Sequence, residues 1–169
     1  CLDYNDTFNS LTGGHPSDMI PAILTAAEIS GADGRDFIGG VHVAYEVFGA
    51  LAAVIPLRTL GIDQGVFIAI AGAAGMGYAM GLDRQTTANA ISLGVTTTVP
   101  LRASRAGALS AWKGCATPHS AMNAVFVTRL AMRGMEAPPN PSPASRACSS
   151  VSAGPSIWII WAHRRMGAR

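Results

Sequence analysis

Residues 64–82, QGVFIAIAGAAGMGYAMGL, carry no charged side chain, and Gly65, Gly72, Gly75, Gly77 and Gly81 recur through them. A membrane-spanning helix needs about 20 largely apolar residues, so length alone leaves two outcomes open. The run either crosses a bilayer or is buried inside a protein. Gly77 and Gly81 form a GxxxG spacing, which lets helix backbones approach closely. Asp63 and Asp83 bracket the run, with no Lys/Arg asymmetry or aromatic belt to orient it in a membrane. The expectation is a buried helix in a tightly packed helical protein, and no membrane span.

The chain has 169 residues, enough for one domain with a core. Hydrophobic residues make up 49% and charged residues 13%, which excludes disorder and leaves surface for another domain or subunit to cover. The net charge of +2 hides a segregation. Residues 1–83 hold nine acids against Arg35 and Arg58, whereas residues 84–135 hold six cations and no acid. A cationic half of this kind can bind an anion or simply be solvated. The cations are diluted among alanines without interleaved aromatics, so nucleic acid is not the expected partner. Cys1, Cys115 and Cys148 are odd in number and widely spaced, which excludes a disulfide framework and a zinc site and fits a reducing, cytoplasmic compartment. The chain begins without Met on a motif-like stretch, and an N-terminal truncation is expected.

Local signals predict about five helices in an all-α bundle. Ser17 is expected to cap a helix to Ser30 that keeps Pro21 in its first turn and stops at Gly31. A second helix should run from Asp33 to Pro56, with Gly39, Gly40 and Gly49 as weak points where it can break. GIDQG (61–65) reads as a turn before the glycine-rich helix, 64–80. Asp83 should cap the next helix, which must stop by Pro100. Residues 101–116 read as a loop or short helix, and Thr117-Pro118 as the start of the last helix, ending at Met132 or Arg133. The boundary of the helical domain is placed at 137. Residues 138–169 form a Pro/Ser-rich tail without periodicity.

Three stretches carry candidate chemistry. Asp3, Asp6 and Thr7 would share a face on a helix; with His15 nearby they make a usable proton-transfer set, but they also read as ordinary turn residues. Arg102, Arg105 and Lys113, the only lysine, make a plausible carboxylate clamp, with a solvated loop as the alternative. His42 and His119 read as core or edge residues. A metal site at Asp3, Asp6 and His15 lacks regular ligand spacing. GMGYAMG (75–81) has the wrong spacing for a dinucleotide loop and no preceding strand.

The segments LDYNDTF…GGHPSD, AYEVFGAL, GLDRQTTANAIS and LRASRAGALSAWKGCA…NAVFVTRLAMRGM, in that order, resemble the MmgE/PrpD family. This is the family of 2-methylcitrate dehydratase, cis-aconitate decarboxylase and iminodisuccinate epimerase. The resemblance covers about residues 2 to 141. It implies an all-helical domain that pairs with an α+β lid, here missing, in a homodimer. It implies acid–base lyase or isomerase chemistry on small polycarboxylates without metal or other cofactor. By motif, Asp3, Thr7 and His15 match the family's catalytic positions, with His15 or Asp3 as base and acid. Arg105 and Lys113 match basic positions of its Trp-Lys-Gly block, and with Arg102 they would hold substrate carboxylates. Many members carry a histidine in the turn corresponding to GIDQG, where this chain has Gln64. The family's usual continuation is replaced by the tail from 138, for which a reading-frame shift or mis-assembled gene end is the expectation. The functional expectation is a dehydratase of the 2-methylcitrate type. The alternatives are a catalytically incomplete dimerisation module, or a related decarboxylase or epimerase.

Overall fold

Asp33 and Asp83 each open a helix where the sequence places them. The Asp33 carboxylate accepts the backbone N–H groups of Arg35 and Asp36 at 2.8 and 2.9 Å, and Asp83 accepts that of Thr86 at 2.9 Å. Side-chain caps of this kind satisfy donors that have no partner inside the helix. The Thr86 hydroxyl, followed by its N–H, holds the Asp83 carboxyl below its usual range. In the computed structural model, which describes residues 4–138, the α-helices are α1 (Ile20–Ser30), α2 (Gly34–Val54), α3 (Gly65–Ala79), α4 (Arg84–Thr97) and α5 (Trp112–Met132). No β-strand occurs among the described residues, only two isolated bridges, so the fold is all-α. The tail beyond Pro138 and Asp3 lie outside the described residues.

Helix α3 runs through the middle. Thirteen of its 15 residues are buried, and α1, α2, α4 and α5 all pack on it. A helix enclosed on every side has no room for large residues on every face, and its glycines mark the closest approaches. A Cβ on Gly75 would lie 2.6 Å from the Gly40 carbonyl oxygen, and one on Gly40 would lie 2.7 Å from that of Gly75. The α2–α3 crossing is therefore backbone against backbone. A Cβ on Gly77 would strike Thr87 of α4, and one on Gly65 would strike Ser120 of α5.

Three expectations about helices need correction. Helix α2 is continuous, because Gly40 serves the crossing and does not break the chain. Ser17 caps nothing: a 3-10 turn (Pro16–Met19) precedes α1, and the Ser17 hydroxyl instead accepts the Asp6 N–H at 3.3 Å. Helix α5 begins at Trp112, not at Thr117, and Pro118 lies inside it. A proline there forfeits the bond to the carbonyl four residues back and crowds it. That residue is Gly114, exposed and open around its Cα, so the helix tolerates the mismatch. Burial of Ala116 and Thr117 favours the extra turn.

The run at 64–82 is buried as expected. Among the described residues, α2 is the one helix long and apolar enough by length and composition to cross a membrane, with mean hydropathy 1.6. Its Ala44, Val47, Phe48, Leu51 and Ala52 are buried in the bundle. His42 and His119 lie at the surface: His42 is 4.0 Å from Glu46, and the His119 ring rests 5.5 Å from that of Trp112.

Because the α2–α3 crossing leaves no space for a methyl group, Gly75→Ala should cost about 1–3 kcal/mol by forcing the backbones apart. Gly31→Ala, at a helix stop with φ of 68° and open space around it, should cost less, about 1 kcal/mol. Urea denaturation of both variants checks the order.

Candidate active site

The segment that precedes α1 is a loop closed on itself. Phe8 and Gly14 form an antiparallel bridge, with N–H to O distances of 2.8 and 3.0 Å. In that register Thr7 stands opposite His15. Asp6 and Thr7 thus lie in this loop and not on a helix, which agrees with their reading as turn residues. Three contacts dock the loop. Phe8 meets Phe48 edge to face, and Phe48 meets Phe67 the same way, at centroid distances of 6.0 and 5.8 Å. The Thr12 N–H reaches the Ala52 carbonyl at 2.9 Å, and the buried Thr12 hydroxyl donates to the Ile55 carbonyl at 2.5 Å.

His15 is held from both sides. Its backbone N–H donates to Gln64 Oε1 at 2.6 Å, and its Nδ1 lies 2.6 Å from the Asp6 carbonyl oxygen. A carbonyl oxygen only accepts, so in the neutral imidazole Nδ1 carries the proton and Nε2 carries the lone pair. Asp6 is itself clamped: Oδ1 accepts the Ser17 N–H at 3.0 Å, and Oδ2 accepts the Tyr45 hydroxyl at 2.9 Å. Burial, then the bond to Asp6 and its charge, pushes the Tyr45 phenol well above its usual range, so it stays a donor. Gly14 must lack a side chain, since a Cβ would lie 1.8 Å from Gln64 Oε1.

The cations come from the other half of the chain. Ile62 bridges Leu101, and the Arg102 N–H reaches the Gly61 carbonyl at 2.9 Å. This seam sets the 3-10 turn Arg102–Arg105 beside the N-terminus of α3. There Arg105 Nε donates to Asp63 Oδ2 at 2.5 Å, and Asp63 Oδ1 accepts the Gly65 N–H at 3.1 Å. The Asp63 side chain is 2% exposed and that of Arg105 20%. The two oppositely charged halves of the sequence thus meet in a buried ion pair. Lys113, expected in a loop, sits in the first turn of α5.

Two cavities share this region. An open groove of about 1050 Å³ lies between α1 and α5, with His15, Asp18, Arg105 and Lys113 at its polar end and Pro21, Met122 and Val125 along its apolar side. A smaller pocket of about 140 Å³ is lined by Thr7, His15, Arg58, Asp63, Gln64, Arg102 and Arg105, among others. His15 and Arg105 belong to both. Of the residues singled out from sequence, Thr7, His15, Arg102 and Arg105 thus meet at the small pocket, and His15, Arg105 and Lys113 at the groove. Asp3 lies outside the described residues. No three His, Cys, Asp or Glu side chains converge as metal ligands among the described residues.

Sequence reasoning missed Tyr45, Arg58 and Asp63, and took Gln64 only as a departure. Signals existed. Arg58 is one of two cations in the acidic half, and Asp63 is a lone acid at the door of a charge-free helix.

A family model described as the MmgE/PrpD N-terminal domain matches residues 1–156. The chain belongs to this family, and the match runs into the Pro/Ser-rich stretch. Among curated relatives, the mitochondrial 2-methylcitrate dehydratase of Yarrowia lipolytica is 34% identical over 102 residues, 54% of this chain and 20% of that protein. The 2-methylcitrate dehydratase of Cupriavidus necator is 29% identical over 147 residues, 79% of this chain and 30% of that protein. The 2-methylcitrate dehydratase-like protein oryR of Aspergillus oryzae is 28% identical over 146 residues, 79% of this chain and 29% of that protein. The chain thus spans 20–30% of the length of these relatives.

Removing one partner of a buried ion pair leaves the other uncompensated. Arg105→Ala should therefore destabilise the fold by about 3 kcal/mol, and the double variant Arg105→Ala, Asp63→Leu should recover part of that loss. Thermal and urea unfolding of the two proteins measure it.

Proposed function

We propose that this chain is the helical part of a lyase that removes water from a small polycarboxylate, in the manner of a 2-methylcitrate dehydratase. The observation that carries this reading is His15, held through Nδ1 against the Asp6 carbonyl, on a wall shared by two cavities that also hold the cations. The similarity to proteins named 2-methylcitrate dehydratases supplies the substrate class.

Elimination needs a base for the proton on the carbon next to a carboxylate, and an acid for the departing hydroxyl. His15 Nε2 takes the proton. The electron pair left on carbon delocalises onto the carboxylate oxygens, where Arg102 and Arg105, which share the small pocket with His15, stabilise the added charge, while Lys113 holds a second carboxylate in the groove. The pair then forms the carbon–carbon double bond as the C–O bond breaks, and the hydroxyl leaves as water with a proton from Asp3. Thr7, opposite His15, donates to the substrate. Asp63 spends its charge on Arg105, so it orients that guanidinium without neutralising Arg102 or Lys113.

The reading also includes a homodimer. Trp112, Met122 and Phe126 are 51, 59 and 56% exposed along one stripe of α5. Sedimentation of the protein reads that state, and a monomer at all concentrations would discard it.

General-base residues contribute about 100-fold or more. His15→Ala should therefore lower the rate of water loss from 2-methylcitrate by at least that factor, with little change in the melting temperature. Turnover equal to that of the unaltered protein would remove His15 from the mechanism.

A further inference from the structure

The small pocket has more positive charge than its own acid can use. Its three guanidiniums, Arg58, Arg102 and Arg105, face one carboxylate, Asp63, and Asp63 is already bonded to Arg105 and the Gly65 N–H. Neither Arg58 nor Arg102 makes an ion pair or side-chain hydrogen bond among the described residues. The seam between residues 61–63 and 100–102 brings the turns that carry Arg58 and Arg102 to the same pocket.

A second observation is independent of these arginines. Gln64 is 7% exposed and lines the same pocket. Its Oε1 is taken by the His15 N–H, which leaves the Nε2 amide as a buried pair of donors. No acceptor among the described residues meets Nε2, and buried donors of this kind are rarely left without one. A buried amide, two unpaired guanidiniums and a volume of about 140 Å³ suit one planar, singly charged anionic group better than water alone.

We infer that the pocket is a subsite for a single carboxylate, gripped by Arg58, Arg102 and the Gln64 amide. It takes the carboxylate nearest His15, while the rest of the molecule lies in the groove toward Lys113. This assignment rests on the polycarboxylate reading and adds Arg58 and Gln64 to it. The subsite selects substrates that carry a carboxylate close to the proton His15 removes. A free inorganic anion has the same chemistry, and the test separates the two.

The experiment is calorimetric titration of the full chain with citrate, with succinate and with inorganic phosphate, for the unaltered protein and three variants. Arg58→Gln, at an exposed position that folding does not need, should weaken citrate about tenfold or more, the effect of losing one charge-assisted hydrogen bond. Gln64→Glu keeps the acceptor for the His15 N–H but replaces the donors with a second oxygen, and should weaken citrate at least as much. Arg35→Gln removes the same charge outside both cavities and should change nothing. Citrate bound equally by Arg58→Gln and the unaltered protein overturns the subsite and leaves the dehydratase reading intact. Phosphate bound in an Arg58-dependent way, without any binding of citrate or succinate, keeps an anion site but overturns the polycarboxylate reading. Binding of none of the three overturns the subsite.

Discussion

The site depends on the N-terminus of α3 being buried and immovable. The helix is enclosed by four others at glycine contacts, so it cannot rotate or slide without a backbone collision. Asp63 and Gln64 stand at that fixed end, away from water, and must find partners within the protein. Asp63 takes Arg105, and Gln64 takes the His15 backbone. One buried helix end thus ties the acidic front of the chain to its cationic second half. Packing that looks purely structural thus sets the distance between His15 and Arg105.

The acidic residues nearest the site are occupied in building it. Asp6 holds Ser17 and Tyr45 through its carboxylate and His15 through its carbonyl, and Asp63 holds Arg105. Their charges are spent on orientation, while Arg58, Arg102 and Lys113 make no ion pair among the described residues. The chain's net charge is only slightly positive, yet the wall of the small pocket carries three guanidiniums against one carboxylate. Segregation along the sequence becomes concentration in space.

Much of the fold could be read locally. Helix ends at Asp33, Asp83 and Gly31 follow from side-chain caps and a left-handed glycine, which depend on a few neighbouring residues. The start of α5 could not, because Pro118 is a strong local signal that burial of Ala116 and Thr117 overrides. The candidate site divides the same way. His15, Lys113 and the arginines stand out by residue type. The roles of Tyr45, Asp63 and Gln64 arise from pairings across 39 to 49 residues, which no short-range pattern records. The family resemblance gave the fold but not those pairings.

The bridge between Phe8 and Gly14 has a consequence for how this site can drift over generations. Opposition of Thr7 and His15 is counted outward from the paired residues, not along the chain between them. Residues 9–13 form the hairpin tip, so insertions or deletions there leave the two side chains facing each other, apart from Thr12, which anchors the tip. A single residue added between Thr7 and Phe8 would swing the threonine to the opposite side of the ribbon. The bridge, and not the number of residues in the tip, is therefore what sets Thr7 against His15.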